Sequence, residues 1–123
     1  MKNLVIVDDN LMMREFLSNY FSSSYRVTIY ESAEQAITGV QGGELPDVML
    51  IDYELSGISG YQLLKTLKTS GFYNSIPIIF LSGKAKSDAK IQCLKEGAFD
   101  FVTKPFNPVE LSYRINKSLN YEN

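Results

Sequence analysis

Val48-Met49-Leu50-Ile51 runs without interruption into a carboxylate, Asp52, and a polar turn through Ser56-Gly57 follows at once. Four large apolar residues in a row suit a strand covered on both faces, as in parallel sheets held between helices. Open α/β sheets take their ligands outside the carboxyl ends of the strands. Asp52, at such an end, is therefore a candidate site residue.

The same signature recurs along the chain. Asn3-Leu4-Val5-Ile6-Val7 reads as a buried strand that ends at Asp8-Asp9-Asn10, and apolar residues from Leu11 to about residue 22 keep helical spacing. Residues 25–30 alternate in period two, which predicts a second strand. Ser32 and Gln35 have capping-box spacing, opening a helix that ends near Gly42-Gly43. Ser59 and Gln62 repeat that spacing before a helix that stops at Gly71. Residues 77–81 form the fourth strand, ending at Ser82-Gly83. Ser87 is the expected cap of a helix with Ile91 and Leu94 on its apolar face, closed by Gly97. Residues 99–103 form the fifth strand, and Lys104-Pro105 follows. Asn107 caps a last helix, with Pro108 at its first position, that runs through Leu111, Ile115 and Leu119. Five strands, each followed by a helix, imply right-handed crossovers and a doubly wound parallel α/β sheet, (βα)5, in one domain over residues 1–123.

Composition narrows the function. Of 123 residues 45% are hydrophobic and 21% charged, the balance of a globular protein rather than a disordered tail. No apolar run approaches the roughly 18 residues of a membrane span, and a net charge of −2 argues against direct nucleic-acid binding. The single cysteine, Cys93, allows no internal disulfide or thiolate zinc cage and fits a reducing, cytoplasmic location. There is no histidine, which removes histidine triads, histidine metal ligands and a phosphohistidine of the chain's own.

The residues that end the strands carry the chemistry. Asp8-Asp9, Asp52, Ser82 and Lys104 all fall on one edge of a parallel sheet, although 96 positions separate the first from the last. Crowded carboxylates stay ionised most readily around a cation. An oxygen-only donor set favours Mg²⁺ or Mn²⁺, which bridges readily to phosphate. A lysine ammonium and a serine hydroxyl beside it suit a phosphoryl group. Taken singly the motifs have plainer readings: Asp8-Asp9-Asn10 as a helix cap, Ser82 as a turn former, Lys104 as a surface lysine and Phe101 as core.

In order and at strand ends, these residues resemble the response-regulator receiver domains of two-component signal transduction, over essentially the whole chain. The intervals fit as well: 43 residues from Asp9 to Asp52, 30 on to Ser82 and 22 on to Lys104. The resemblance implies a flavodoxin-like strand order 2-1-3-4-5, and a signalling domain rather than a free-standing enzyme. It implies that Asp52 accepts a phosphoryl group from a sensor histidine kinase, a histidine phosphotransferase or a small acyl phosphate. Mg²⁺ would be held by Asp8, Asp9, Asp52 and the backbone carbonyl of Glu54, and Lys104 would pair with the phosphoryl oxygens. Ser82 would move toward the phosphate and Phe101 would turn inward behind it, changing the surface of the fourth helix, fifth strand and fifth helix. The Lys104-Pro105 bond is expected to be cis.

Five positions depart from, or vary within, the family pattern. Ser56 stands where proline is frequent, Gly83 where a small alanine is usual, and Phe101 where tyrosine is common. Glu54 and Lys84 occupy positions that tune phosphoryl lifetime in the family, and their opposite charges are expected to pair across the site mouth. A flavodoxin-like binding module or a magnesium-dependent phosphatase is the alternative on the same fold. Against these stand the acidic pair where a phosphate-cradling loop belongs and the adjacency of Asp8 and Asp9. For output, the chain ends at Tyr121-Glu122-Asn123 as either a stand-alone regulator or a receiver cut from a longer protein. Residues 110–115 resemble receivers of winged-helix transcription factors, which implies a homodimer through helix four, strand five and helix five. Lys90, Asp100, Glu110 and Arg114 are the expected charged pairs of that face.

Overall fold

The computed structural model describes residues 1–43, 45–71, 73–84 and 86–120; the closing Tyr121-Glu122-Asn123 lies outside the described residues. Five strands alternate with five helices: β1 (Asn3–Val7), α1 (Leu11–Phe21), β2 (Arg26–Tyr30), α2 (Ala33–Gly42) and β3 (Val48–Asp52), then α3 (Gly60–Lys68), β4 (Ile78–Ser82), α4 (Ser87–Lys95), β5 (Asp100–Thr103) and α5 (Pro108–Leu119). All strand pairings are parallel, in the order β2-β1-β3-β4-β5. The fold class and strand order expected from the sequence are both observed.

Strand alternation divides the core into two layers. Val5, Val7, Met49, Ile51, Ile78 and Phe80 face one side, covered by α2 and α3 and, through Cys93, by α4. Leu4, Ile6, Val48, Leu50, Ile79 and Leu81 face the other, covered by Leu17 and Phe21 of α1 and by Leu111 and Ile115 of α5. Every residue of β3 and β4 is buried, as the uninterrupted apolar runs require. In register, Val7 lies beside Ile51, Asp52 beside Leu81 and Ser82 beside Thr103. The residues that follow or end these strands are thereby gathered on one edge.

Local chemistry sets the helix starts. Asn10 accepts from the Met13 amide at 2.9 Å, and Asn107 accepts from Val109 and Glu110. Ser59 and Gln62 form the full reciprocal box that starts α3, although that helix ends at Lys68 rather than Gly71. At α2 only half of the box forms: Ser32 accepts from the Gln35 amide, but the Gln35 side chain takes the amide of Glu31 instead of that of Ser32. Gly60 opens α3 where a Cβ would lie 3.0 Å from the Asp52 carbonyl oxygen and 3.1 Å from the Tyr53 Cα, so the helix starts hard against the strand end.

Helix α4 corrects two expectations. Ser87 is its first helical residue rather than its cap; Lys86 holds the capping position and makes no side-chain cap bond. Ile91 and Leu94 are 50% and 40% exposed, whereas Cys93 is fully buried. Residues 91 and 94 lie about 200° and 100° around the helix from 93, so one seam excludes the others. The seam that packs is the small pair Ala89 and Cys93, four residues apart.

Candidate functional site

At the carboxyl edge of the sheet, Asp8 and Asp52 are 1% and 5% exposed and Asp9 is open to solvent. One carboxylate oxygen from each lies within 4.8 Å of the others. The turns orient them: Asp8 accepts from the Asn10 amide at 2.9 Å, and Asp52 from the Glu54 amide at 3.0 Å. Both of those bonds use Oδ1. The Oδ2 atoms face Lys104, whose Nζ lies 3.4 Å from Asp52 and 3.9 Å from Asp8. The Lys104-Pro105 bond is cis.

Burial dominates the electrostatics. It pushes the Asp52 carboxyl up to about 6, with the charge of Asp8 adding to the effect; Lys104 and the Glu54 amide oppose it. Asp8 is raised for the same first reason, against its bond from Asn10 and the charge of Lys104. One ammonium among three carboxylates leaves negative charge without compensation, and Asp8 Oδ2 is a buried oxygen with no hydrogen-bond donor among the described residues. An oxygen-only cluster with an orphaned carboxylate oxygen fits a hard divalent cation such as Mg²⁺. The helix-cap reading of this stretch holds beside the acidic one, because Asn10 does cap α1.

Arg14 was not singled out by its sequence context, yet it supports the acidic pair. It is 7% exposed and donates from Nη1 to the Asp8 carbonyl at 2.8 Å, while Nη2 pairs with Glu31 at 3.5 Å. The signal was a charged residue at the helical spacing of the buried Leu17 and Phe21. Ser56, the departure from the proline pattern, turns its amide and hydroxyl toward Asp9 Oδ2 at 3.4 and 3.5 Å, closing the turn by long hydrogen bonds. Gly57 beside it has φ +77°, a left-handed conformation suited to glycine.

Glu54 behaves otherwise than expected. Its carboxylate accepts from the Ser82 hydroxyl and, at 3.0 Å, from the Gly83 amide, and among the described residues no ion pair joins it to Lys84. Phe101 is 3% exposed and already turned inward, with its ring centroid 5.3 Å from that of Tyr53 and 5.8 Å from that of Phe80. Tyr53, next to Asp52, packs in the same apolar layer as Cys93 of α4. The Tyr61 hydroxyl bonds Glu96 and Gln92, so both tyrosines tie the site side of the sheet to α4. On α5, Arg114 pairs with Asp100 at 2.7 Å and Glu110 at 2.9 Å within the chain. Beside Lys104 a groove of about 310 Å³ opens, walled by Met12, Met13, Phe16, Pro105, Phe106 and Pro108.

A five-stranded parallel sheet with two acids after β1, an acid ending β3, a serine ending β4 and a lysine after β5 defines a receiver-type signalling domain. The family model for the response regulator receiver domain matches residues 4–116, and the chain belongs to that family. The phosphate regulon transcriptional regulatory protein PhoB of Pseudomonas aeruginosa is 38% identical over 96% of this chain and 52% of its own length. The two-component response regulator ORR6 of rice is 37% identical over 89% of this chain and 66% of its own length. The chain thus spans between half and two thirds of these relatives. A Chloroflexus aurantiacus structure assigned as a response regulator is 34% identical, superposes with a TM-score of 0.90 and covers 98% of both chains. Family membership sets aside the flavodoxin-like binder and the phosphatase. Receiver domains are signalling modules of two-component systems, and among the described residues no helix is long and apolar enough to cross a membrane.

Proposed function

We propose that Asp52 is the phosphoacceptor, receiving a phosphoryl group from a phosphohistidine of a sensor histidine kinase or histidine phosphotransferase, or from a small acyl phosphate. An oxygen of Asp52 forms the new P–O bond. The bond from phosphorus to the imidazole nitrogen, or to the acyl oxygen, breaks, and its electron pair leaves with the donor. The observation that carries this reading is the approach of Lys104 to Asp52 at 3.4 Å inside an otherwise acidic cluster. A lone ammonium there neutralises incoming phosphoryl oxygens while the carboxylate attacks.

Asp8, Asp9, Asp52 and the main-chain carbonyl of Glu54 hold Mg²⁺, with Mn²⁺ as the substitute. When bound, the ion offsets the charge that gathers as two anions meet. Arg14 fixes the main chain of Asp8, and Ser56 steadies Asp9. A protein donor approaching Asp52 meets the apolar groove beside Lys104, which favours a helical partner with an apolar face over a small anion alone. Ser82 then donates to the phosphoryl group, and Phe101 fixes the surface of α4, β5 and α5 that a partner or a second copy reads. Residues 1–123 act as one receiver module in this reading.

The test is incubation with acetyl phosphate and Mg²⁺, followed by intact-mass measurement at neutral pH and after mild base. A base-labile phosphate adduct in the wild type that is lost in Asp52→Ala is the expected result. No adduct, or one that persists in Asp52→Ala, overturns the assignment.

A further inference from the structure

Two donors sit side by side at the end of β4: the Ser82 hydroxyl and the Gly83 amide. Both are spent on one side chain, the carboxylate of Glu54, which takes one donor on each oxygen. Ser82 itself is fully buried, and Glu54 is half-buried beside it. The Glu54 charge is close enough to Asp52 to contribute to its raised pKa. A planar anion with two oxygens, seated on a hydroxyl and a main-chain amide at the mouth of a phosphoryl-accepting site, has the hydrogen-bonding demands of a phosphoryl group.

We infer that the Glu54 side chain is an internal competitor for the phosphoryl group: it occupies the Ser82 and Gly83 donors in the resting protein and must leave them before Asp52 can be fully phosphorylated. The inference rests on the phosphoacceptor reading of Asp52 and goes beyond it. It gives the residue two positions after the phosphoacceptor a role in admitting the phosphoryl group, separate from any effect on how long that group survives. Once displaced, Glu54 is released beside the loop after β4, which carries Lys84 two residues beyond Ser82. The ion pair expected from the sequence thus belongs to the phosphorylated state. The Gly83 position suits such an exchange, because even a Cβ there would meet only Lys104 Cβ at 3.8 Å.

Three variants separate competition from simple repulsion. Glu54→Gln removes the charge and leaves one acceptor oxygen for two donors, Glu54→Ala removes the side chain, and Glu54→Asp keeps the charge but shortens the reach by one methylene. Initial rates of phosphorylation by acetyl phosphate at saturating Mg²⁺ should rise roughly tenfold in Gln and Ala, and about threefold in Asp, the scale of one charge-assisted hydrogen bond lost. In ¹H–¹⁵N spectra of the metal-free proteins, the Gly83 amide should move upfield in all three variants. In the wild type it should shift again when beryllofluoride and Mg²⁺ are added, a readout independent of turnover and of whether the variants fold. If the wild type and all variants take no label on Asp52, the phosphoacceptor reading fails and the inference falls with it. If the wild type is labelled but Gln and Ala are no faster, the inference alone fails. Wild-type rates in Glu54→Asp alongside fast Gln reduce the effect to charge repulsion and also overturn it, as does a Gly83 amide that ignores beryllofluoride.

Discussion

Asp52 carries its charge at a cost. Its pKa is raised, with burial the first cause and Asp8 the second, so the native state holds a proton more tightly than the unfolded chain does. The penalty is fully present above about 6 and is relieved as pH falls through 6 toward the ordinary carboxylate value of 3.8. Asp8 is shifted in the same direction. Metal-free protein should therefore gain roughly 1 to 3 kcal/mol of stability between pH 7 and pH 5. Asp52→Asn should be more stable than the wild type at pH 7 by a similar amount. Mg²⁺ should stabilise the wild type at pH 7 and do so less at pH 5, where protons compete for the cluster. Urea titrations at the two pH values check all three; a wild type that weakens steadily on acidification from pH 7 refutes the account. The acids themselves were legible in the sequence because each ends or follows an apolar run. The partners of Glu54 and the inward Arg14 were not. Ser82 is 28 residues from Glu54, and only the β3–β4 register brings them together.

Among elements, the strands and α5 were legible to within a residue or two, because an unbroken apolar run or a proline after a cap has one reading. Helix α4 was not. Three apolar residues, Ile91, Cys93 and Leu94, compete for one inward seam, and bulk favoured the wrong pair. Cys93 is the α4 residue buried in the apolar layer that holds the packed rings of Tyr53, Phe80 and Phe101. The opposite constraint rules at α3. Gly60→Ala would drive a methyl against the main chain of Asp52 and Tyr53 and the ring of Phe80, and should cost about 1 to 3 kcal/mol. Gly83→Ala meets nothing closer than 3.8 Å and should be nearly neutral. Thermal unfolding of the two variants makes the comparison, and equal losses would contradict the packing described for α3.

At the scale of the whole molecule, the sheet and its two apolar layers bind four helices firmly and the fifth lightly. One fully buried side chain, an uncapped start and a few tyrosine hydroxyl contacts are what fasten α4. Regions with so few buried contacts open below the global unfolding free energy. Cys93, the single cysteine, lies under that helix, with burial pushing its thiol up. Its alkylation by a thiol reagent in native buffer should therefore follow a local opening and run faster than urea-measured unfolding allows. Beryllofluoride with Mg²⁺ should change that rate while leaving an unfolded control untouched. A labelling rate equal to that of global unfolding would mean that α4 is released only with everything else. The one sulfhydryl in the chain is thus a clock fitted on the inner side of α4, and its ticking can be read without labelling any other residue.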